Sequence, residues 1–303
     1  MKVFLTGATG YVGRQIVRDL VKIGHSVFAL VRKGSEEKLP DEVKGKITII
    51  SGDIHASDSY RASLRECEVV INLPGLLKEF PGEGITFEGV HYLATKSLVD
   101  AAKGAGATRF IQMSALGVRE GARPIYQETK FRAEEYLIAS GLRWTIFRPS
   151  LMFGNEKEGF TNFMTVVRDL LMMAPIVVPV LGDGKYRLQP VAVRNVSEGF
   201  VKALTTESSI AKRYDVAGPD RYTYNELLDM VSYVTGEYKV KIHQPMFAMK
   251  LMASAFGGFK MFPVSRDQIT MLEEENISDR WKEYFDDFAI TPLRLVENIH
   301  KGF

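Results

Sequence analysis

The sequence lacks the features that distinguish secreted and membrane-spanning proteins. Cys67 is its single cysteine, which excludes an intramolecular disulfide and makes a reducing compartment the natural expectation. The longest apolar run, residues 170–181, contains two prolines and is too short to span a bilayer. A strand-like segment begins at residue 2, so we expect no secretory signal peptide. Together these absences predict a cytoplasmic protein.

Neither sign of charge dominates, and the histidines form no cluster. The 39 basic and 37 acidic residues give a formal net charge of +2 and are spread without long runs. This balance gives no reason to expect nucleic acid as a partner. The histidines lack the spacing of zinc ligands, so no metal site is predicted. They are His25, His55, His91, His243 and His300.

The alternation of strands and helices predicts an α/β protein. With 303 residues, of which 46% are hydrophobic, the chain is long enough for one large domain and a smaller appendage. In the first half, amphipathic helical patterns separate short apolar runs. These runs are predicted strands at 2–6, 26–31, 47–52, 69–73, 109–114 and 144–148. Repeated βαβ units predict a doubly wound parallel sheet, the Rossmann arrangement, over residues 1–150.

The pattern changes after Pro149. Residues 151–303 are predicted to form a smaller, mainly helical substrate lobe, while strand and helix segments near 186–218 return to the main domain. Residues 245–262 are rich in Met and Phe. We interpret this stretch as a helix packed on the lobe, as one wall of an apolar substrate pocket, or as a patch that docks on a membrane or a membrane-protein partner.

A glycine-rich turn, TGATGYVGR, joins the first strand to the first helix. Gly7 allows the tight turn, Gly10 lets the backbone approach a pyrophosphate, and Gly13 lets the helix pack closely on the sheet. The N–H groups and the dipole of a helix start favour negative charge. The turn therefore predicts dinucleotide binding, with three further residues of the motif at the cofactor: Thr9, Tyr11 and Val12.

The end of the second strand favours NADP(H) over NAD(H). An NAD-specific fold usually places Asp or Glu there to bind the ribose hydroxyls, whereas this chain has Arg32 and Lys33. A guanidinium can pair with the 2′-phosphate of NADP(H), and Arg14 could add a second positive charge. The alternative is that these cations are solvated surface groups.

Asp53 and Ile54 follow the third predicted strand and are expected at the cofactor. A carboxylate at this position could accept a hydrogen bond from the adenine amino group. The alternative is that Asp53 caps a helix or belongs to a turn.

These segments resemble the extended, or atypical, branch of the short-chain dehydrogenase/reductase superfamily, and the resemblance covers nearly the whole chain. It is carried by TGATGYVG, INLPG, MSALG, YQETK and RPSLMFG, together with Asp53 and Ile54. SALGV, the Y-x-x-T-K-x-x-x-E-E run and FPVSRDQITMLEEEN are similar to the family that includes the nucleotide-binding accessory subunit of respiratory complex I. That family implies a bound NADP(H)-type cofactor and no settled reaction.

The resemblance also implies roles for single residues. Tyr126 would exchange a proton with a carbonyl or alcohol oxygen, and Lys130 would assist it and bind the nicotinamide ribose. Ser114 would orient the substrate oxygen, although Ala115 holds the usual serine position. Two loops would lie along the cofactor, one at the adenosine ribose and pyrophosphate and one at the nicotinamide amide: Leu73, Pro74 and Gly75, then Pro149 and Ser150.

The chemistry of the tyrosine and lysine pair is consistent with these roles. Tyr126 and Lys130 are four residues apart, so they share one face of a helix. A nearby ammonium favours the phenolate and is expected to lower the pKa of Tyr126 from about 10 toward neutrality. Glu134 and Glu135 follow on the same helix, where we expect a solvated face.

Two functions follow from these patterns. The first is an NADP(H)-dependent oxidoreductase or epimerase-like enzyme that acts on an apolar or nucleotide-linked carbonyl or alcohol, and Tyr126 and Lys130 favour it. The second is a non-catalytic NADP(H)-binding module of a respiratory or quinone-related membrane assembly, held peripherally at the inner face of a membrane. Ala115 and the Met/Phe-rich stretch favour the second function.

Overall fold

The computed structural model describes residues 1–154, 162–174, 176–248, 250–251 and 266–302. Its strands in the first half of the chain are β1 (Lys2–Thr6), β2 (Ser26–Val31), β3 (Thr48–Ser51), β4 (Val69–Asn72), β5 (Arg109–Met113) and β6 (Arg143–Pro149). Those in the second half are β7 (Met152–Phe153), β8 (Val177–Leu181), β9 (Arg187–Leu188), β10 (Val191–Ala192), β11 (Lys212–Val216), β12 (Tyr222–Thr223) and β13 (Val240–Gln244).

Seven strands form one parallel sheet in the order β11-β6-β5-β4-β1-β2-β3. All neighbouring pairs in this sheet are parallel; on the central strand β1, Leu5 pairs with Ala29 on one side and with Ile71 on the other. The predicted doubly wound Rossmann sheet is therefore confirmed, and each predicted strand is present. The strand order reverses between β1 and β4, so a crevice opens at their carboxyl ends, where such folds bind their ligands.

The described residues form ten α-helices. They are α1 (Tyr11–Lys22), α2 (Arg61–Leu64), α3 (Ala94–Ala105), α4 (Ile125–Ile138), α5 (Phe163–Met173), α6 (Val193–Lys202), α7 (Tyr224–Thr235), α8 (Arg266–Glu273), α9 (Trp281–Asp287) and α10 (Leu295–Gly302). Six of them, α1, α2, α3, α4, α6 and α9, pack on the two faces of this sheet. A π-helical turn, Glu88–Leu93, runs directly into α3. Because alternate strand residues face opposite sides, Val3 and Leu5 pack with α1, α6 and α9, whereas Phe4 packs with α2, α3 and α4.

The second half of the chain adds to the main sheet and also forms a third apolar cluster. β11 pairs with β6 at the edge of the sheet, and α6 packs against α1. The third cluster joins α5, α7 and α10 to β8, which pairs in turn with β13. The domain boundary expected at residue 150 stays a prediction.

Most of the Met/Phe-rich stretch at 245–262 lies outside the described residues. At its beginning, the side chains of Phe247 and Leu251 are 75% and 70% exposed. Within the described ranges, no helix is both long enough and apolar enough to cross a membrane. The three interpretations of this stretch therefore stay predictions.

The expected solvated face of α4 is wrong at Glu134. This side chain is fully buried, and its carboxylate accepts hydrogen bonds from Arg148 Nε at 2.9 Å and Nη2 at 2.6 Å. A second cation, Arg213 Nε, lies 3.1 Å from the same carboxylate. Glu135 is exposed, as expected. The difference arises because Glu134 faces the sheet, where arginines of β6 and β11 replace water as its partners.

Replacing Glu134 by alanine should lower the free energy of unfolding by about 3 kcal/mol, because Arg148 would be left largely buried without its partner. Glu135→Ala is the matched control at the next position. It should change the free energy of unfolding by less than about 1 kcal/mol, since its ion pair with Arg213 is largely solvated. Urea unfolding at neutral pH measures both values. Equal losses in the two variants would contradict a structural role that is specific to Glu134.

Candidate functional site

A buried polar network lies at the carboxyl ends of the central strands. Asn72 Oδ1, at the end of β4, accepts a hydrogen bond from Thr6 Oγ1 of β1 at 2.7 Å. Asn72 Nδ2 donates to Gln112 Oε1 of β5 at 2.8 Å and to Thr95 Oγ1 of α3 at 3.1 Å. All four side chains are at most 4% exposed. Buried polar groups are costly unless hydrogen-bonded, so this network fixes where three strands and a helix meet.

The glycine turn makes the close contacts that its sequence predicts. Gly7 adopts a φ of +77° and lies against Leu73, and its carbonyl accepts the Gly10 N–H at 3.0 Å. A Cβ on Gly13 would lie 2.0 Å from the Gly7 oxygen, so only glycine lets α1 approach this closely. Gly10 caps α1 without a side chain, and the first turn contains no acidic residue. The turn therefore fits a pyrophosphate, which would meet backbone N–H groups and the positive helix end.

Tyr11 connects the glycine turn to the second half of the chain. Its hydroxyl donates to the Gly154 carbonyl at 2.6 Å and accepts from Asn162 Nδ2 at 3.3 Å. Asn162 in turn caps the start of α5. Of the other predicted contacts in the turn, Thr9 is half-buried and Val12 is buried in the core. The hydroxyl of Tyr11 thus has a structural task that the motif alone does not indicate.

The cations after β2 are exposed. Neither Arg32 nor Lys33 forms a side-chain hydrogen bond or an ion pair with another described residue. Arg14 differs, because it lies near acidic groups. The pKa of Asp41 is lowered mainly by its hydrogen bond with Lys44 and also by the charge of Arg14. Arg32 and Lys33 therefore have fewer competing protein contacts than Arg14.

Asp53 and Ile54 lie in the turn that follows β3. Asp53 Oδ1 accepts a hydrogen bond from the His55 N–H at 2.8 Å, which is typical of a turn closed by an aspartate. Asp53 is therefore a turn residue, the alternative to adenine binding, through one of its two carboxylate oxygens. Ile54 is half-buried, and its carbonyl accepts the Tyr60 hydroxyl at 2.9 Å. Contact of either residue with adenine stays a prediction.

The loop after β4 lies beside Lys130. Leu73 is buried against Gly7, Pro74 is half-buried, and Gly75 is exposed. A Cβ on Gly75 would lie 3.9 Å from Lys130 Nζ. The structure thus brings the glycine turn, this loop and α4 together at the carboxyl ends of β1 and β4.

The ends of β5 and β6 place the two predicted serines in different situations. Ser150 is buried, and its hydroxyl donates to the Gln189 carbonyl at 2.6 Å. Ser114 is also buried, but its Oγ has no hydrogen-bond partner within the described part of the chain. Ala115 is half-buried, and Pro149 is buried at the end of β6. Of the two, Ser114 is therefore the serine whose hydroxyl is bound by no residue that the structure describes.

Lys130 is a buried cation that forms an ion pair with no described carboxylate. Its side chain is 4% exposed, and it forms no ion pair with any residue that the structure describes. Burial lowers the pKa of Lys130 to about 8, and the charge of Glu134 opposes this effect. Such a shift in a crevice is typical of functional sites.

Tyr126 is buried beside this lysine, but its acidity differs from the expectation. Lys130 Nζ lies over the Tyr126 ring, 5.5 Å from its centroid. Burial raises the pKa of Tyr126 above its ordinary value. The expected lowering of this pKa is therefore wrong for the protein alone. The reason is that the ring is packed among apolar and aromatic groups, and the hydroxyl loses hydration that the lysine does not replace.

His91 belongs to the same cluster, although its sequence context gave no reason to place it there. It lies in the π-helical turn, is 2% exposed, and stacks on Phe87 with centroids 5.3 Å apart. Its ring meets Tyr126 edge-on at 5.1 Å. Nε2 accepts the Leu76 N–H at 3.1 Å, and Nδ1 lies 3.0 Å from Thr129 Oγ1. Burial is the main cause that lowers the pKa of His91 to about 2, so the ring is neutral.

The buried polar network around Asn72 and the position of His91 were not predicted, but both leave traces in the sequence. The apolar strands KVFLT, VVIN and RFIQM each carry a polar residue at or near the carboxyl end, and these residues form the buried network. His91 follows Phe87 by four residues, which places both rings on one side of a helical turn. Neither trace identifies the partners, because the partners come from other strands and loops.

Lys130→Met should stabilise the protein without ligands at neutral pH. The pKa of Lys130 falls from an ordinary value of 10.5 to about 8 on folding. Below pH 8 the buried ammonium therefore costs about 3 kcal/mol. This cost falls as the pH rises from 8 to 10.5, because the folded protein has lost the proton there, and it is gone above 10.5, where the unfolded chain has lost it as well. The gain in free energy of unfolding, measured with guanidinium chloride, should shrink from pH 7 to pH 10. A gain that is independent of pH would contradict the shift, and Lys103→Met on exposed α3 surface is the control.

Comparison with known proteins identifies the family. A family model described as NAD(P)H-binding matches residues 7–169. The chain is 31% identical over 306 residues to the mitochondrial NADH dehydrogenase (ubiquinone) 1 alpha subcomplex subunit 9 of Arabidopsis thaliana, covering 95% of this chain and 74% of that protein. It is 28% identical over 236 residues to the chloroplastic divinyl chlorophyllide a 8-vinyl-reductase of Oryza sativa subsp. indica, covering 72% and 55%.

The fold is also found among solved structures. UDP-glucose 4-epimerase of Thermotoga maritima, crystallised with UDP-glucose, matches with a TM-score of 0.75 at 18% identity, covering 99% of this chain and 96% of that one. At this identity the likeness shows the fold alone. The NAD(P)H-binding model covers more than half of the 303 residues. The chain therefore belongs to the NAD(P)H-binding proteins of the extended short-chain dehydrogenase/reductase type, close to the complex I accessory subunit.

Proposed function

We propose that the protein is an NADP(H)-dependent oxidoreductase or epimerase-like enzyme acting on an apolar or nucleotide-linked carbonyl or alcohol. In this proposal, residues 1–150 bind the cofactor and residues 151–303 form the substrate lobe. One observation carries it. At the carboxyl ends of the parallel strands, Lys130 is buried beside Tyr126 with no ion pair, and Ser114 Oγ, just after β5, is buried with no hydrogen bond, among the described residues.

Buried polar groups without hydrogen-bond partners reduce stability, and titratable groups perturbed by burial cluster at functional sites. Ser114 Oγ can donate to a carbonyl or hydroxyl oxygen of a substrate. The ammonium of Lys130 can donate to the hydroxyls of a ribose. A residue at position 130 with only a packing role would need no charge. The cluster therefore favours a polar ligand over a solely structural function.

Tyr126 is the group proposed to hold and move the proton. Because burial raises its pKa, the hydroxyl is protonated at neutral pH and can donate to a carbonyl oxygen. The protonated hydroxyl is the form that reduction of a carbonyl requires. The nicotinamide cofactor, when bound, supplies the hydride. Positive charge on Lys130 would stabilise the phenolate that remains after Tyr126 donates its proton.

The proposed cofactor is NADP(H), with its pyrophosphate at the glycine turn. Arg32 and Lys33 support this choice, because both are exposed cations without competing partners among the described residues. The remaining proposed contacts are on the loops described above, from the adenine to the nicotinamide end: Asp53 and Ile54, then Leu73, Pro74 and Gly75, then Pro149 and Ser150.

A second candidate function is a non-catalytic NADP(H)-binding module of a respiratory or quinone-related membrane assembly. It is supported by the Arabidopsis relative, which is named as a subunit of NADH dehydrogenase (ubiquinone). Ala115, at the usual serine position, also supports it. The rice relative is named as a reductase and favours the enzyme. We propose a cytoplasmic location, which in the second candidate is peripheral at the inner face of a membrane.

Arg32→Asp should weaken NADPH binding by at least about tenfold and NADH binding by less than about threefold, because only NADPH carries the 2′-phosphate. Lys38→Asp, an exposed cation in the next turn, is the matched control and should leave both affinities unchanged. Titration of nicotinamide fluorescence measures the dissociation constants of NADPH and NADH for the wild type and for each variant. Equal weakening for both cofactors would rule out the proposed contact between Arg32 and the 2′-phosphate.

Tyr126→Phe should reduce turnover by at least about 100-fold while NADPH still binds, because the variant loses only the proton donor. NADPH oxidation with quinones, enones and nucleotide sugars is the assay. Tyr136→Phe on the same helix is the control, since the Tyr136 hydroxyl is bound on the outer surface by Asp100 and Lys96. If wild-type protein binds NADPH, turns over none of these compounds and co-purifies with a membrane complex, the second candidate function is supported instead.

A further inference from the structure

The His91 ring bridges two elements of the candidate site through hydrogen bonds. Nε2 accepts the Leu76 N–H of the loop after β4, and Nδ1 faces Thr129 Oγ1 of α4. A neutral imidazole has one donor and one acceptor, so Nδ1 carries the proton and donates it to Thr129. The Thr129 hydroxyl then donates to the Ile125 carbonyl at 2.9 Å. In this series of hydrogen bonds every donor points the same way, from the loop at Leu76 through His91 and Thr129 to α4.

Aromatic and ionic contacts fix the ring in this orientation. His91 stacks on Phe87 at an interplanar angle of 16° and meets Tyr126 at 87°. The π-helical turn that carries His91 is tied to α4 by Arg132, which donates to both carboxylate oxygens of Glu88 at 2.8 and 3.0 Å. The ring therefore cannot turn away without losing contacts on both elements.

The loop itself has little other support. No backbone–backbone hydrogen bond holds residues 75–77 within the described structure. The bond from Leu76 to His91 is thus the polar anchor of this part of the loop. Gly75, the residue before the anchor, lies against Lys130 Nζ. Movement of Leu76 would therefore change the surface that Lys130 and a bound ligand share.

We propose that His91 is a positioning residue that holds the loop at residues 73–76 in register with Tyr126 and Lys130. This role rests on the function proposed above. With the anchor in place, a cofactor lying along the loop meets Lys130 and Tyr126 at a fixed separation. Without it, the loop must be ordered by the ligand at the moment of binding, which weakens affinity.

Two substitutions of His91 test the anchor. His91→Phe keeps an aromatic ring and removes both hydrogen bonds, so it should weaken NADPH binding about tenfold. It should also speed amide hydrogen exchange at Leu76, measured by NMR in the protein without ligand. His91→Gln is the conservative variant, because its amide can accept from Leu76 and donate to Thr129. It should bind NADPH within about threefold of wild type.

Thr129→Val tests the same connection from α4 and does not depend on whether His91→Phe folds. It removes the acceptor for the Nδ1 proton at nearly constant volume, and it should speed exchange at Leu76 across the ring. Thr129→Ser keeps the hydroxyl and is the matched control. Urea unfolding of every variant separates the two effects, because a solely structural role lowers overall stability without changing the NADPH affinity of the folded protein.

The outcomes separate the positioning role from the function on which it rests. Unchanged NADPH affinity and unchanged Leu76 exchange in both His91→Phe and Thr129→Val would overturn the positioning role and leave the proposed function intact. Wild-type protein that binds no nicotinamide cofactor would overturn the proposed function and the positioning role with it. Weaker binding in the two variants, with recovery in His91→Gln and Thr129→Ser, supports the role.

Discussion

The Asn72 amide can be buried at the end of β4 only if both its oxygen and its nitrogen find partners, and much of the site depends on this requirement. Thr6 of β1 supplies the donor, and Gln112 of β5 supplies an acceptor. These bonds connect the carboxyl ends of β1, β4 and β5 and help to fix the relative positions of those ends. The glycine turn, the loop at 73–76 and the segment at 114–117 all leave the sheet just beyond them. The bonds of Asn72 therefore add to the backbone pairing that holds these three segments close together.

The same rule of polar satisfaction distinguishes Lys130 and Ser114 from buried groups such as Arg109 and Glu134. Buried Arg109 donates to Thr145, Ser209 and two backbone carbonyls, and buried Glu134 accepts from Arg148, so both are complete within the fold. Lys130 and Ser114 are buried to a similar degree and are left incomplete by the described residues. Burial alone does not distinguish these groups. The presence or absence of protein partners does.

The sheet could be predicted from the sequence because its signals are local. Strand length, apolar runs and the βαβ rhythm all lie within about thirty residues, and the glycine turn carries its own geometry. The environment of Tyr126 could not be predicted in this way. Its pKa is raised by burial, and two of the rings that pack against it, Phe87 and His91, come from a different element. The burial of Glu134 likewise depends on Arg148 of β6 and Arg213 of β11, and helical spacing does not contain that information.

The hydrogen bonds of Tyr11 have a thermodynamic consequence. One hydroxyl links the turn that fits a pyrophosphate to Gly154 and to the residue that caps α5. A ligand that orders the glycine turn therefore acts on the start of α5 as well. Because linkage is reciprocal, a partner that displaced Asn162 would change the affinity of the turn for any ligand whose binding moves the Tyr11 hydroxyl. Tyr11 thus adds a polar connection between the two halves of the chain to the one in the sheet, where β11 pairs with β6.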